Sequence, residues 1–311
     1  MTNTNKLPLV IIVGPTAAGK TSVSIDLAER LDGEIVSADS RLLYRGMDIG
    51  TAKPTQEEKR DVPHHLIDMA DPDDTWSLAL YQRNAYRVID EIHARGKLPI
   101  LVGGTGQYVR AIIEGWRIPP QPPNYDLRDA LNRWADEIGT EAFHERLAKL
   151  DKEAAEQIDY RNVRRVVRAM EVILLTGERF SDLRRKQECP YKPIILGISR
   201  TREELYQRID QRIDLMLKAG LVEEVTALKD AGYAPDLPTM SAIGYGEILQ
   251  YLQGEISYDE AVALIRRNTR IFVRRQANWF KPDDPRIKWF DAHEDMLERM
   301  LLTVRRALNE L

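Results

Sequence analysis

Eight residues constrain this chain more than any other feature: Gly14-Pro15-Thr16-Ala17-Ala18-Gly19-Lys20-Thr21. They fit the phosphate-binding loop pattern G-x-x-x-x-G-K-[ST]. The loop lies between an apolar run, Leu7 to Val13, and a segment with apolar residues at Val23, Leu27, Ala28 and Leu31. The first is long enough for a buried strand, and the second has helical spacing. The glycines let backbone N–H groups turn inward around phosphate oxygens, and the helix adds the positive end of its dipole. Residues Gly14 through Thr21 are therefore the candidate diphosphate- or nucleotide-binding set. Lys20 supplies a point charge, and the Thr21 hydroxyl is placed to ligate Mg2+.

The rest of the chain extends this start into an α/β fold. Glu34 to Ser37 and Leu98 to Val102 read as strands, with Leu66 to Met69 as a further candidate. Trp76 to Arg95 reads as a helix. Strands alternating with helices predict a parallel sheet flanked by helices, its ligand site at the strands' carboxyl ends. The stretch Ile118 to Asp126 holds four prolines and cannot be regular helix. Beyond it, to about Lys186, the pattern is all helical. Residues 118–189 thus read as an inserted helical subdomain, and 1–117 with 190–311 as the core. A strand at Ile194 to Ile198 resumes the sheet. Helices are expected over Arg202 to Ala219, Val222 to Ala231 and Asp259 to Phe280, with Ser257 and Glu260 as a capping box. Ile287 to Phe290 reads as an edge strand and Glu294 to Leu308 as a closing helix.

Composition excludes several classes. With 45 basic and 49 acidic residues the net charge is -4, so the protein is no wholly basic nucleic-acid binder. Apolar runs fall far short of the roughly 18 residues of a membrane span. The first residues lack a signal-peptide core. A single cysteine, Cys189, excludes a disulfide framework within the chain and a cysteine-based zinc site, and the simplest home is the cytoplasm.

The phosphate loop does not name the reaction. ATP or GTP is the default ligand. A hydrolase of this kind also needs an apolar run ending in a metal-holding Asp, and Leu66-Ile67-Asp68 is a poor candidate. Asp39 follows a strand and reads equally as a general base, a water-mediated Mg2+ ligand or a turn cap. Gly103-Gly104-Thr105-Gly106 is a second glycine-rich turn, which lets another chain or a ligand approach the backbone closely. Ala261 to Pro282 holds no acidic residue but carries Arg266, Arg267, Arg270, Arg274, Arg275 and Lys281, interleaved with Phe272, Trp279 and Phe280. A second cluster is Arg161, Arg164, Arg165 and Arg168. Two such clusters beside a phosphate loop favour a polyanionic substrate over two solvated faces.

The stretches GPTAAGKT (14–21), DSRLLYRGMDIGTAKP (39–54), VPHHLID (62–68), LVGGTGQY (101–108), SAIGYGE (241–247) and NTRIFVRRQANWF (268–280) resemble, in order and spacing, the tRNA dimethylallyltransferase family, bacterial type. The resemblance implies a core like that of P-loop nucleotide hydrolases. It implies transfer of a dimethylallyl group from dimethylallyl diphosphate to N6 of the adenosine at position 37 of tRNA. A donor with only two phosphates, whose carbon–oxygen bond breaks, needs no positioned water.

The resemblance further implies residue roles. Asp39 matches the catalytic base, Thr21 the Mg2+ ligand, Thr105 a residue near the reacting centre, and Arg212 the arginine on the diphosphate. Asp39, Ser40, Arg41, Leu42, Arg164, Arg165, Arg168, Ser241, Gly244, Tyr245, Arg274, Arg275, Gln276 and Lys281 match positions that touch tRNA. The insert would grip the anticodon stem, and the chain would act as a cytoplasmic monomer. Leu42 stands where the family often has Gln, Gln107 where it often has Leu, and Asn278 where it often has Thr. The competing readings are a P-loop small-molecule kinase using ATP, a prenyltransferase acting on free AMP, and a non-catalytic RNA-binding protein.

Overall fold

A computed structural model of the protein describes residues 6–118, 124–183 and 188–310. The prolines of the 118–126 stretch and the expected helix end near Lys186 fall outside them. The described residues of Met1–Trp76, Tyr81–Ile113 and Cys189–Leu311 form one compact unit, and those of Ser77–Leu80 and Glu114–Glu188 a second.

The first unit begins β1 (Pro8–Val13), α1 (Lys20–Leu31), β2 (Gly33–Ser37), α2 (Gln56–Lys59), β3 (His64–His65), α3 (Leu78–Ala94, of which Tyr81 onward belongs to this unit), β4 (Leu98–Val102) and α4 (Gly106–Ile113). The second unit supplies α5 (Tyr125–Ile138), α6 (Thr140–Leu150), α7 (Lys152–Gln157), α8 (Val163–Thr176) and α9 (Phe180–Leu183). The first then resumes with β5 (Lys192–Ser199), α10 (Arg202–Lys218), α11 (Leu221–Asp230), α12 (Tyr245–Leu252), α13 (Tyr258–Gln276), β6 (Ile287–Asp291) and α14 (Met296–Asn309).

Among the described residues, six strands form one parallel sheet in the order β3-β2-β4-β1-β5-β6. Leu9 to Val13 of β1 are fully buried, as a continuous apolar run demands when helices cover both faces. Register decides where the site lies. Val102 at the end of β4 pairs with Ile12 on one side and Ser37 on the other. The loops after β1, β4 and β2 therefore leave the same edge of three neighbouring strands. This is the strand-end crevice where open α/β sheets bind ligands.

The expected strand at Leu66 to Met69 is corrected. Leu66 and Asp68 have φ of 61° and 57°, which no strand allows. The edge strand is instead His64–His65, paired with Ile35 and Val36. Helix α13 stops at Gln276, short of Phe280, and its start has the expected capping box between Ser257 and Glu260.

The second unit has its own core of Leu131, Phe143, Leu147, Val166 and Met170, with Trp134 edge-on to Phe143 at 5.4 Å. Glu171 is fully buried and accepts hydrogen bonds from Arg168, Arg128 and the Asn124 amide. Burial opposes its charge, but those donors prevail and hold its carboxyl below the usual range.

Candidate active site

The phosphate loop is closed and braced. Gly19 caps α1 in the left-handed region, φ 103°, where a side chain would be strained. Lys20 Nζ donates to the carbonyls of Gly14 and Pro15, at 3.0 and 2.8 Å. Desolvation lowers the Lys20 ammonium to about 8; Asp39 opposes that shift and Arg212 adds to it. The three charges thus lie close enough to act on one another. Two arginines that the sequence reading missed hold the outside of the loop. Arg200 Nε donates to Ala18 O at 3.0 Å, and Arg208 Nε to Ala17 O at 2.7 Å. Both follow β5, the strand beside β1. Arg212, one turn beyond Arg208 on α10, reaches Thr51 O at 3.4 Å. Burial lowers its guanidinium, and Asp39 and Glu58 partly restore it.

Asp39 lies just past β2. Its amide donates to Ser37 Oγ at 3.3 Å, and its Oδ1 accepts from the Arg41 amide at 2.9 Å. The second glycine turn is laced to this segment. Thr105 N donates to Ala38 O at 3.2 Å, and Thr105 Oγ1 accepts from Ser40 N at 3.0 Å. The close approach expected of that turn is made by the chain itself. A Cβ on Gly103 would sit 2.1 Å from Ala38 O, and one on Gly106 2.1 Å from the Trp279 ring. Beneath lies a stacked pair, Tyr81 on Tyr108, centroids 3.8 Å apart, with the Tyr81 hydroxyl on Ser37 O. Thr21, Asp39, Thr105 and Arg212 are thereby gathered at one end of the sheet.

The candidate RNA positions divide. Arg41 Nη1 and the Ser241 hydroxyl both donate to Pro238 O, which brings those two exposed residues together. Ser40 and Leu42 are half-buried beside them. Arg274, Arg275 and Lys281 are exposed and form no ion pair among the described residues. Three positions are interior rather than exposed. Gly244 is buried at the start of α12. Tyr245 has no exposure, and its hydroxyl donates to Glu224. Gln276 is 6% exposed; its Oε1 accepts from Thr16 N at 2.8 Å and its Nε2 donates to Gly104 O at 3.2 Å. The acid-free stretch is not all free charge either. Arg266 and Arg270 each pair at 2.5 Å with α10 carboxylates, Asp214 and Asp210.

In the second unit, Arg164, Arg165 and Arg168 line a concavity of about 510 Å3 with Arg128, Asn132, Asn162 and Val167. Arg128 and the two asparagines were not legible as members, since they come from α5 and the turn before α8. Arg168 reaches the concavity while paired to Glu171.

Fold and loops define an α/β protein with a P-loop motif, a carboxylate close to its lysine and a basic helix bonded to the loop. A family profile described as IPP transferase matches residues 42–283, and one described as Isopentenyl transferase matches 7–70. A tRNA dimethylallyltransferase of Thermomicrobium roseum is 49% identical over 97% of this chain and 93% of its own. The crystal structure of a full-length tRNA isopentenylpyrophosphate transferase from Bacillus halodurans is 42% identical, covers 98% of both chains and superposes with a TM-score of 0.74. A eukaryotic dimethylallyltransferase acting on tRNA, 24% identical over 98% of this chain and 80% of its own, shares the fold with a TM-score of 0.84. The chain belongs to the tRNA dimethylallyltransferase (IPP transferase) family.

Proposed function

We propose that this protein transfers a dimethylallyl group from dimethylallyl diphosphate to N6 of adenosine 37 in tRNA and releases diphosphate. Gln276 supports the reading most. It sits on the helix that carries exposed Arg274 and Arg275, yet its side chain bonds both the phosphate loop and the Gly104 turn. A polyanion-binding face and a phosphate pocket are joined through one residue, an arrangement that a small-molecule kinase does not need.

In this reading N6 attacks the allylic carbon, the carbon–oxygen bond breaks, and its electron pair leaves on the diphosphate. Asp39 accepts the N6 proton, since an exocyclic adenine amine is a poor nucleophile. Lys20, Arg212 and the loop amides offset charge on the leaving group. Thr105 holds the Asp39 segment. No cluster of three or more His, Cys, Asp or Glu among the described residues could hold a metal alone. The Thr21 hydroxyl, exposed at the start of α1, fits a cation held mainly by the donor's phosphates. Bound Mg2+ would neutralise the diphosphate. Residues 118–189 are read as gripping the anticodon stem, with Arg164, Arg165 and Arg168 on its backbone, in a cytoplasmic monomer. No helix among the described residues is long and apolar enough to cross a membrane.

One incubation tests the reading. The protein, Mg2+, dimethylallyl diphosphate and an anticodon stem-loop or full-length tRNA are combined, with ATP replacing the donor in a parallel tube. A five-carbon gain on adenosine 37 in the first tube alone is expected by mass spectrometry. No gain on either RNA overturns the reading.

Two further results are expected. Arg274→Ala and Arg275→Ala should each weaken tRNA binding and reduce the slope of log affinity against log salt by about one. An unchanged slope would make that face merely solvated. Donor affinity should also depend on pH through Lys20, lowered to about 8 in the free protein. A bound diphosphate favours the charged ammonium and raises that pKa. Affinity is then full below pH 8 and falls above it, by up to about tenfold per unit until the raised pKa is passed. Titration calorimetry of dimethylallyl diphosphate across this range checks it, and Lys20→Met should show weak, pH-independent binding.

A further inference from the structure

The carboxylate of Glu224, in the first turn of α11, accepts four hydrogen bonds. The amides of Asp48 and Ile49 donate to Oε2 at 2.9 and 2.7 Å; the Gly50 amide and the Tyr245 hydroxyl donate to Oε1 at 3.1 and 2.6 Å. Three successive amides turned onto one anion form a nest. The nest belongs to the middle of the 39–54 segment, some ten residues from Asp39 in sequence. Its far side is pressed on the Tyr245 ring, where a Cβ on Gly50 would sit 2.5 Å from a ring carbon. The next residue, Thr51, offers the carbonyl that Arg212 reaches. Glu224 thus ends a chain of contacts that runs through the loop and Arg212 toward Lys20.

We propose that Glu224 is a positioning residue for diphosphate binding. Its carboxylate fixes residues 48–51, and the Thr51 carbonyl then holds the Arg212 guanidinium toward the phosphate loop. The proposal rests on the assignment of Arg212 to the diphosphate. A carboxylate is required because all four partners are donors. A glutamine offers one acceptor oxygen, and its NH2 would face a donor. Tyr245 is the second member: burial and the neighbouring Glu224 push its phenol well above the usual tyrosine range, so it stays a donor.

The test uses the full-length chain and two readouts besides turnover. In Glu224→Gln, hydrogen exchange at amides 48–50 should speed by about tenfold or more, while the β1 and β4 amides keep their protection. Affinity for inorganic diphosphate with Mg2+ should fall about tenfold by calorimetry, with stem-loop affinity unchanged within about twofold. Tyr245→Phe, which leaves the three amide bonds, should lose only about two- to threefold in diphosphate affinity. In an Arg212→Ala background, Glu224→Gln should cause no further loss of diphosphate affinity, because both act through one group. Unchanged exchange, unchanged affinity, or losses that simply add in the double variant would each overturn the proposal. A wild type that binds diphosphate but prenylates no RNA would instead remove the transferase reading, and the exchange and double-variant results would still decide the role of Glu224.

Discussion

Asp39→Ala is expected to cut single-turnover prenyl transfer by about 10²-fold or more, while donor and tRNA affinities stay within about twofold near pH 7. The carboxylate follows β2 and lies close enough to Lys20 and Arg212 for its charge to act on both. It is thus beside the diphosphate pocket without being one of the groups proposed to hold phosphate. Its Oδ1 also accepts the Arg41 amide, so the alanine variant removes a turn cap along with the base. Asp39→Asn separates the two. An amide oxygen keeps the cap but accepts no proton, so Asn should be nearly as slow as Ala with a firmer loop. The charge of Asp39 also helps keep Lys20 protonated. Donor affinity in either variant should therefore fall off at lower pH than in wild type. Rapid-quench single turnovers with saturating donor and RNA make the measurement. A wild-type rate in Asp39→Asn would remove Asp39 as the proton acceptor.

What the sequence made legible follows from how local each signal is. The phosphate loop, β1 and β4 are written in contiguous residues, and parallel strands buried on both faces read as apolar runs. β3 was misplaced because it is two polar residues at a sheet edge, His64 and His65. The nearby apolar run is used differently: Leu66 is buried from a left-handed turn rather than a strand. Arg200 and Arg208 look like ordinary surface arginines, and only the adjacency of β5 to β1 brings them over the phosphate loop. The acid-free stretch of α13 has the same lesson from the other side. Its missing acids, Asp210 and Asp214, come from α10, and they neutralise Arg266 and Arg270 but leave Arg274 and Arg275 exposed. Motif stretches also mix surface with interior. Gly244, Tyr245 and Gln276 sit in segments matched to RNA contact, yet each is buried: the Gly244 amide is taken up by the cap of α12, and Tyr245 and Gln276 bond other segments of the chain.

Gly103→Ala should lower turnover by about 10²-fold and stability by about 1–3 kcal/mol, although position 103 carries no chemical group. The added Cβ would lie 2.1 Å from the Ala38 oxygen, 2.3 Å from its carbonyl carbon and 2.8 Å from its Cα. These are backbone atoms, so no rotamer change relieves the clash. Ordinary contact requires the two loops to part by more than about 1 Å, a displacement that costs a reaction about 10²-fold when it separates reacting groups. Nor can the Ala38 segment slide away freely. Its amide donates to Val102 O at 2.7 Å, and its carbonyl accepts Thr105 N at 3.2 Å. Parting the loops breaks the lacing that sets Asp39 against the Gly103–Gly106 turn. Gly96→Ala is the control. It carries φ 73° and has open space around its Cβ, so it should cost about 1 kcal/mol of backbone strain and leave turnover unchanged. Denaturant unfolding and single-turnover rates on the two variants separate strain from displacement. If Gly103→Ala turned over like wild type, the contact between the β2 and β4 loops would not be what positions Asp39, and its placement would have to come from the Arg41–Pro238 side alone.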